Sequence, residues 1–440
     1  MSKVIFIALV VLMVVAAIPY GTVEPWWKAA FVCAVFVICI VAIVERLVRG
    51  EGQIAGGPIL LPLLALALLA FAQTLSLGSR EAASLQVWNT ISADPYQTRF
   101  FALQVLALAG WLALLYCYAT TEQRIRVLVY TIMCVAVASA IFGILRQTTQ
   151  HQTGFVLPLL RPAQGYAQFI NKNHFAYLME MAFGLGLGIA LAGGVAKERL
   201  LVYVALLLPI WTGLVLANSR GGILAMLAQI VVAALLLLNR QRSRVGQSVL
   251  VRAVLVGALV VGIMFGTLWV GGDRLATNIE AATSEFNTAS SLTRQGASRN
   301  EIWRATLKMF AAHPILGVGL GGYWIGITAY HDASGLMTPQ EAHNDYLELL
   351  SSGGVVGFAF GVWFAVVVIR SVRRNLLSDT GYGRAVRVGA ILGITGVAAH
   401  SLVDFGLHIL INALVFLTLI MMASHKKAHK AQMIEMETII

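Results

Sequence analysis

The chain has 440 residues, 59% of them hydrophobic and 12% charged, with a formal net charge of +11. Soluble domains carry about 25% charged residues, so the composition argues against a water-soluble fold. The four cysteines, Cys33, Cys39, Cys117 and Cys134, all lie inside apolar blocks with no CxxC pair, which argues against a disulfide framework and a thiolate metal site.

The apolar residues fall into blocks of roughly 17–25, the length of helix that crosses a bilayer. The blocks are continuous and do not alternate, so the spans read as helices and not as barrel strands. In chain order about twelve are expected, at 4–20, 27–44, 58–76, 99–119, 127–145, 173–193, 199–216, 222–239, 249–271, 354–370, 387–403 and 409–424. The first has one lysine ahead of it and no clear small-x-small cleavage site, and reads as a retained span. With Lys3 in the cytoplasm, alternate loops put 19 of the 31 Lys and Arg residues on the cytoplasmic side, together with eight acids. The other face then balances twelve bases against twelve acids. The whole positive excess therefore lies inside, as the positive-inside rule requires, and a nucleic-acid partner is not needed to explain it. The expectation is an all-α integral membrane protein, one polytopic unit over 1–440, with both termini cytoplasmic. One large periplasmic loop, 272–353, separates the ninth and tenth spans and carries short amphipathic helices.

The outer segments hold most of the candidate chemistry. Ahead of the sixth span, Asn171, Asn173 and His174 end an amide-rich stretch that suits sugar hydroxyls, as an ordinary polar loop also would. Asn218-Ser219-Arg220-Gly221 is a very short outer turn between long apolar spans. An arginine there either snorkels to the interface or faces a wet cavity or an anion. Ser298-Arg299-Asn300-Glu301 is a capping-box pattern. Its helix should run to about Ala312, stop near His313-Pro314, and turn Trp303, Leu307 and Phe310 to one apolar face. Arg299 falls in the first turn, where the helix dipole disfavours a cation unless both share an anion. The glycines from Gly317 to Gly322 lack a preceding strand and read as a flexible turn against the membrane surface, not a nucleotide loop. Residues 341–350 read as an amphipathic helix with His343, Tyr346, Leu347 and Leu350 on one face, leading into the tenth span after Gly353-Gly354. No HExxH spacing supports zinc there. The last outer turn packs His400, Asp404 and His408 between apolar spans, as a buried network or as part of a site. On this topology these distant segments converge on one face.

Together they resemble the O-antigen ligase and polymerase family of bacterial membrane proteins. The matching pieces are Asn171-Lys-Asn-His-Phe-Ala, Ser219-Arg-Gly, Ser298-Arg-Asn-Glu-Ile-Trp, His313-Pro-Ile-Leu-Gly-Val-Gly, Ala342-His-Asn-Asp-Tyr-Leu-Glu-Leu and His400-Ser-Leu-Val-Asp-Phe, in the family's order over most of 165–410. The resemblance implies an inner-membrane glycosyltransferase with a periplasmic active site. It would move a glycan from undecaprenyl diphosphate to a hydroxyl of lipid A-core or, in a polymerase, of another lipid-linked glycan. It implies no metal, no other cofactor and no nucleotide sugar. Arg220 and Arg299 are then expected at the donor diphosphate, because guanidinium forks suit developing phosphate charge. His343 is expected at the acceptor hydroxyl, since an imidazole is the common general base near neutral pH. Asn344, Asp345 or Glu348 would orient it. Asn171, Asn173, His174, Asn344, Asp345, Glu348, His400 and Asp404 are the expected glycan or acceptor contacts. A membrane transporter or flippase is a more distant alternative, disfavoured because its charges would lie at mid-membrane.

Overall fold

A computed structural model of the chain describes residues 1–50, 56–76, 89–149, 165–193, 196–240, 299–331, 339–375 and 381–425. The expected ninth span, 249–271, the cap Ser298 and the first part of the long loop lie outside the described residues.

Every named element among the described residues is helical. In chain order they are α1 (Ser2–Ala17), α2 (Pro25–Val48), α3 (Gly57–Gln73), α4 (Pro95–Tyr118), α5 (Glu122–Thr149), α6 (Lys172–Ala192), α7 (Lys197–Leu216) and α8 (Arg220–Arg240). After the undescribed stretch come α9 (Arg299–Ala312), the single turn α10 (Tyr323–Gly326), α11 (Asp345–Asn375), α12 (Gly381–His400) and α13 (Leu410–Ser424). Six of the described helices are long and apolar enough to cross a membrane, and four shorter apolar ones accompany them. Apart from the ninth, each expected span coincides with a helix.

The helix starts follow local chemistry. Pro95 opens α4, and Asp94 caps it by accepting the Gln97 N–H at 3.0 Å. Asn171 caps α6 through the Asn173 N–H at 2.9 Å. Helix α6 is apolar almost all round and is buried all round, at the centre of the bundle. Its closest neighbour is α12, and glycines permit the approach: a Cβ on Gly188 would stand 2.2 Å from the Gly389 Cα. Small residues at helix crossings are the usual route to dispersion contacts in lipid.

Contacts at the two ends of the bundle join segments that alternate-loop counting puts on the same side. At one end the Tyr118 hydroxyl donates to Glu45 at 2.5 Å, Arg124 donates to the Ser2 hydroxyl at 2.9 Å, and Arg126 lies over the Tyr382 ring. At the other, the Trp324 indole donates to Asp94 at 3.2 Å, and Lys172 donates to the Asn218 carbonyl at 2.9 Å. Segments assigned to one face meet at one end.

Three local expectations gain detail. In α9 the buried residues are Ile302, Ala305, Thr306 and Met309, while Leu307 is exposed, so the face packed on the protein is rotated from the Trp303, Leu307 and Phe310 face. The glycine-rich loop is packed, not free. Gln73 of α3 donates to the carbonyls of Leu316 and Ser352 and accepts the Leu320 N–H, tying the loop to α11. Gly319, at φ +100°, lies against Ser92, where a Cβ would meet the hydroxyl at 2.3 Å. As expected at Gly353-Gly354, α11 is two helices joined at Gly354, whose φ of 63° and ψ of −168° only glycine adopts readily. A Cβ there would stand 2.2 Å from the Ile315 carbonyl oxygen. This bend separates the short amphipathic stretch 345–353 from the spanning part.

Candidate functional site

The site is built around the turn after α12. The His400 carbonyl accepts the N–H groups of Val403 and Asp404 at 2.9 and 3.1 Å, which reverses the chain. Asp404 is fully buried and takes four donors. Its Oδ2 accepts from the Asn173 amide and from Arg299 at 3.3 Å. Its Oδ1 accepts the Phe405 N–H at 3.0 Å and faces His343 Nδ1 at 3.3 Å. Burial by itself would raise the Asp404 carboxyl, but the hydrogen bond and charge of His343, with the Arg299 guanidinium, hold it down to about 2.

His343 is not on a helix face. It sits in the turn before α11 with φ of 50°, a left-handed conformation uncommon for a residue with a side chain and concentrated at functional sites. Both flanks hold it. Ala342 donates its N–H to Glu348 at 2.9 Å and accepts the Trp303 indole N–H at 3.0 Å. Asn344 caps α11 through the N–H groups of Tyr346 and Leu347, and its amide donates to the Leu402 carbonyl at 2.9 Å. The His343 ring meets Phe405 edge-on at 4.9 Å. Its side chain is 32% exposed, and the tautomer that donates from Nδ1 to Asp404 would leave Nε2 as an acceptor. The orienting partner is thus Asp404. Asn344 is a cap, Glu348 holds the Ala342 N–H, and Asp345 accepts from the Ser401 hydroxyl at 2.7 Å.

Cations gather beside this pair. Arg299 opens α9 and Arg220 opens α8, both from the same end of the bundle. The turn before α8 is fixed from α6. Asn218 adopts φ of 50°, and the Ser219 hydroxyl donates to the Asn173 side-chain carbonyl at 2.8 Å. Asn173 therefore bridges the Arg220 turn and Asp404. Lys172, exposed at the start of α6, lies within electrostatic reach of both Arg220 and Arg299. Sequence reasoning missed Lys172, although it stands between the two asparagines singled out. It also missed Phe405, whose ring is shared edge-on by His343, His174 and His408.

The remaining expected contacts divide. His174 is buried with its Nε2 unpartnered. His400 is completely buried and faces Glu180, away from the Asp404 carboxylate. His408 stands among carboxylates, 3.4 Å from Glu341, 3.5 Å from Glu348 and 3.7 Å from Asp345. Glu341, Glu348 and His408 bring their ligand atoms within 4.8 Å of one another, a spacing that would admit a cation. Burial opposes the His408 charge, but Glu348, Glu341 and Asp345 outweigh it and push His408 up to about 10. The protonated imidazole places one positive charge among these carboxyl groups.

The family model described as O-antigen ligase matches residues 204–362. The match spans Arg220, Arg299 and His343, bears out the resemblance read from the sequence, and supports a glycan-transferring membrane enzyme. Lys172, Asn173 and Asp404 lie outside the matched residues. No curated protein matches the chain.

Proposed function

We propose that this protein transfers a glycan from a polyprenyl diphosphate, undecaprenyl diphosphate in a bacterial inner membrane, to an acceptor sugar hydroxyl at the periplasmic face. The acceptor in this reading is lipid A-core, which makes the protein an O-antigen ligase. A polymerase would present a lipid-linked glycan to the same groups. The observation that carries the reading is the Asp404 carboxylate, which takes His343 on one oxygen and Arg299 on the other. In this reading the two partners are the base and a cation for the diphosphate. The charge asymmetry of the loops supports the periplasmic assignment.

The chemistry follows from these groups. Asp404 fixes the His343 proton on Nδ1, so Nε2 presents its lone pair to the acceptor hydroxyl. The hydroxyl oxygen attacks the anomeric carbon as its proton passes to Nε2. The bond from that carbon to the diphosphate oxygen breaks, its electron pair going to the diphosphate. Attack and departure on opposite faces invert the anomeric centre. Arg220, Arg299 and Lys172 stabilise the charge that develops on the leaving group. The histidine returns its proton to the released diphosphate or to water. Three cations at the leaving group supply the neutralisation a divalent ion would give, so the reaction is metal-independent in this reading.

Reconstituted transfer from purified lipid-linked glycan, with EDTA present, tests it. The wild type should turn over, and His343→Ala should lose ~10²–10⁴ in kcat while still binding the lipid diphosphate. Near-normal turnover by folded His343→Ala, or abolition of wild-type transfer by EDTA, would overturn the mechanism.

A further inference from the structure

Deep in the bundle, between α6 and α12, His400 Nδ1 meets Glu180 Oε2 at 2.8 Å, and both side chains have no exposed surface. Such a pair is costly in lipid and is not explained by stability, since apolar residues of similar volume pack as well. Its surroundings suggest a different role. The His400 ring stacks on Tyr177 at 4.0 Å and 19°, which fixes its plane. Its Nε2 is unpartnered and lies against Gly221, where a Cβ would stand 2.2 Å away. Gly221 follows Arg220. The His400 carbonyl, meanwhile, holds the turn that presents Asp404. The Tyr177 hydroxyl extends the link at 3.2 Å from Ser401, itself bonded to Asp345.

We infer that His400, locked by Glu180, is a positioning residue that keeps the Arg220 turn in register with the Asp404–His343 pair. The ring bears on the donor side through Gly221, and the backbone of the same residue bears on the acceptor side. This rests on the function proposed above. A side chain in place of Gly221 would force the imidazole from its place, and the carboxyl group of Glu180 serves to stop the ring rotating.

The test is steady-state transfer by purified full-length variants, with donor KM and kcat measured separately beside thermal stability. Gly221→Ala should raise the KM for the lipid-diphosphate donor about tenfold or more, with kcat changed far less, because a small displacement of Arg220 weakens diphosphate binding. His400→Leu should raise donor KM and lower kcat together. The double variant Gly221→Ala/His400→Asn makes room for the new methyl but removes the positioning ring, so its donor KM should stay raised. If His400→Leu does not fold, Gly221→Ala and the double variant decide. Wild-type donor KM in Gly221→Ala, or a return to wild-type donor KM in the double variant, overturns the inference while leaving the proposed function intact. A wild type that transfers nothing from the lipid-linked donor overturns both.

Discussion

Replacing Asp404 by Asn changes one atom and removes a charge at the centre of the site. The carboxylate receives Asn173, Arg299, His343 and the Phe405 N–H. An amide cannot serve all four. With its NH2 toward Asn173 and Arg299, donor faces donor; with its NH2 toward His343, the imidazole must carry its proton on Nε2 and can no longer accept one from the hydroxyl. A hydrogen bond to a charged group contributes about 1.5–3 kcal/mol, so losing one costs roughly ten- to a hundredfold. Loss of the base function outright sets the upper bound. The expected fall in kcat is therefore ~10²–10⁴. Donor KM should change far less, because Arg220 and Lys172 remain and Arg299 is released, not lost. The assay is reconstituted transfer at saturating donor and acceptor, with circular dichroism and thermal melting to establish folding. A folded Asp404→Asn enzyme that keeps its kcat would refute the idea that Asp404 orients His343.

Arg299→Ala and Arg220→Ala should each lose roughly ten- to a hundredfold in transfer, the worth of one charge-assisted contact. Arg220→Lys keeps the charge but not the fork and should remain impaired; wild-type transfer by correctly inserted Arg220→Ala would remove that residue from the site. The His408 cluster predicts a pH dependence of stability. Its folded value, about 10, lies above the ordinary imidazole value, so its contribution is fully present below about pH 6.5 and is lost as pH rises through 10. The melting-temperature difference between wild type and His408→Gln should shrink from pH 7 to pH 10, and a constant difference would show that the charge is not what His408 contributes.

The spans were legible because lipid imposes a simple rule: twenty-odd apolar residues in a row leave the backbone no choice but helix. The sorting of basic residues between alternate loops was legible as well, since loop charges can be counted along the chain without knowing any contact. The individual residues Arg220, Arg299 and His343 stood out as polar groups at membrane boundaries. What the sequence could not supply was the partner of each. His343 was read onto a helix face because its neighbours repeat at helical spacing, yet its φ of 50° places it in the turn before the helix. Its orienting group was sought among residues one to five positions away, and it comes from 61 residues further on. His400 was grouped with Asp404 as a possible contact because they are four residues apart. The end of α12 falls between them, sending one side chain into the bundle toward Glu180 and the other into the site. Hydropathy is a property of a segment and can be summed along the chain. A hydrogen bond is a property of two atoms at one distance and angle, and only the packing of α6, α8, α9, α11 and α12 brought those atoms together.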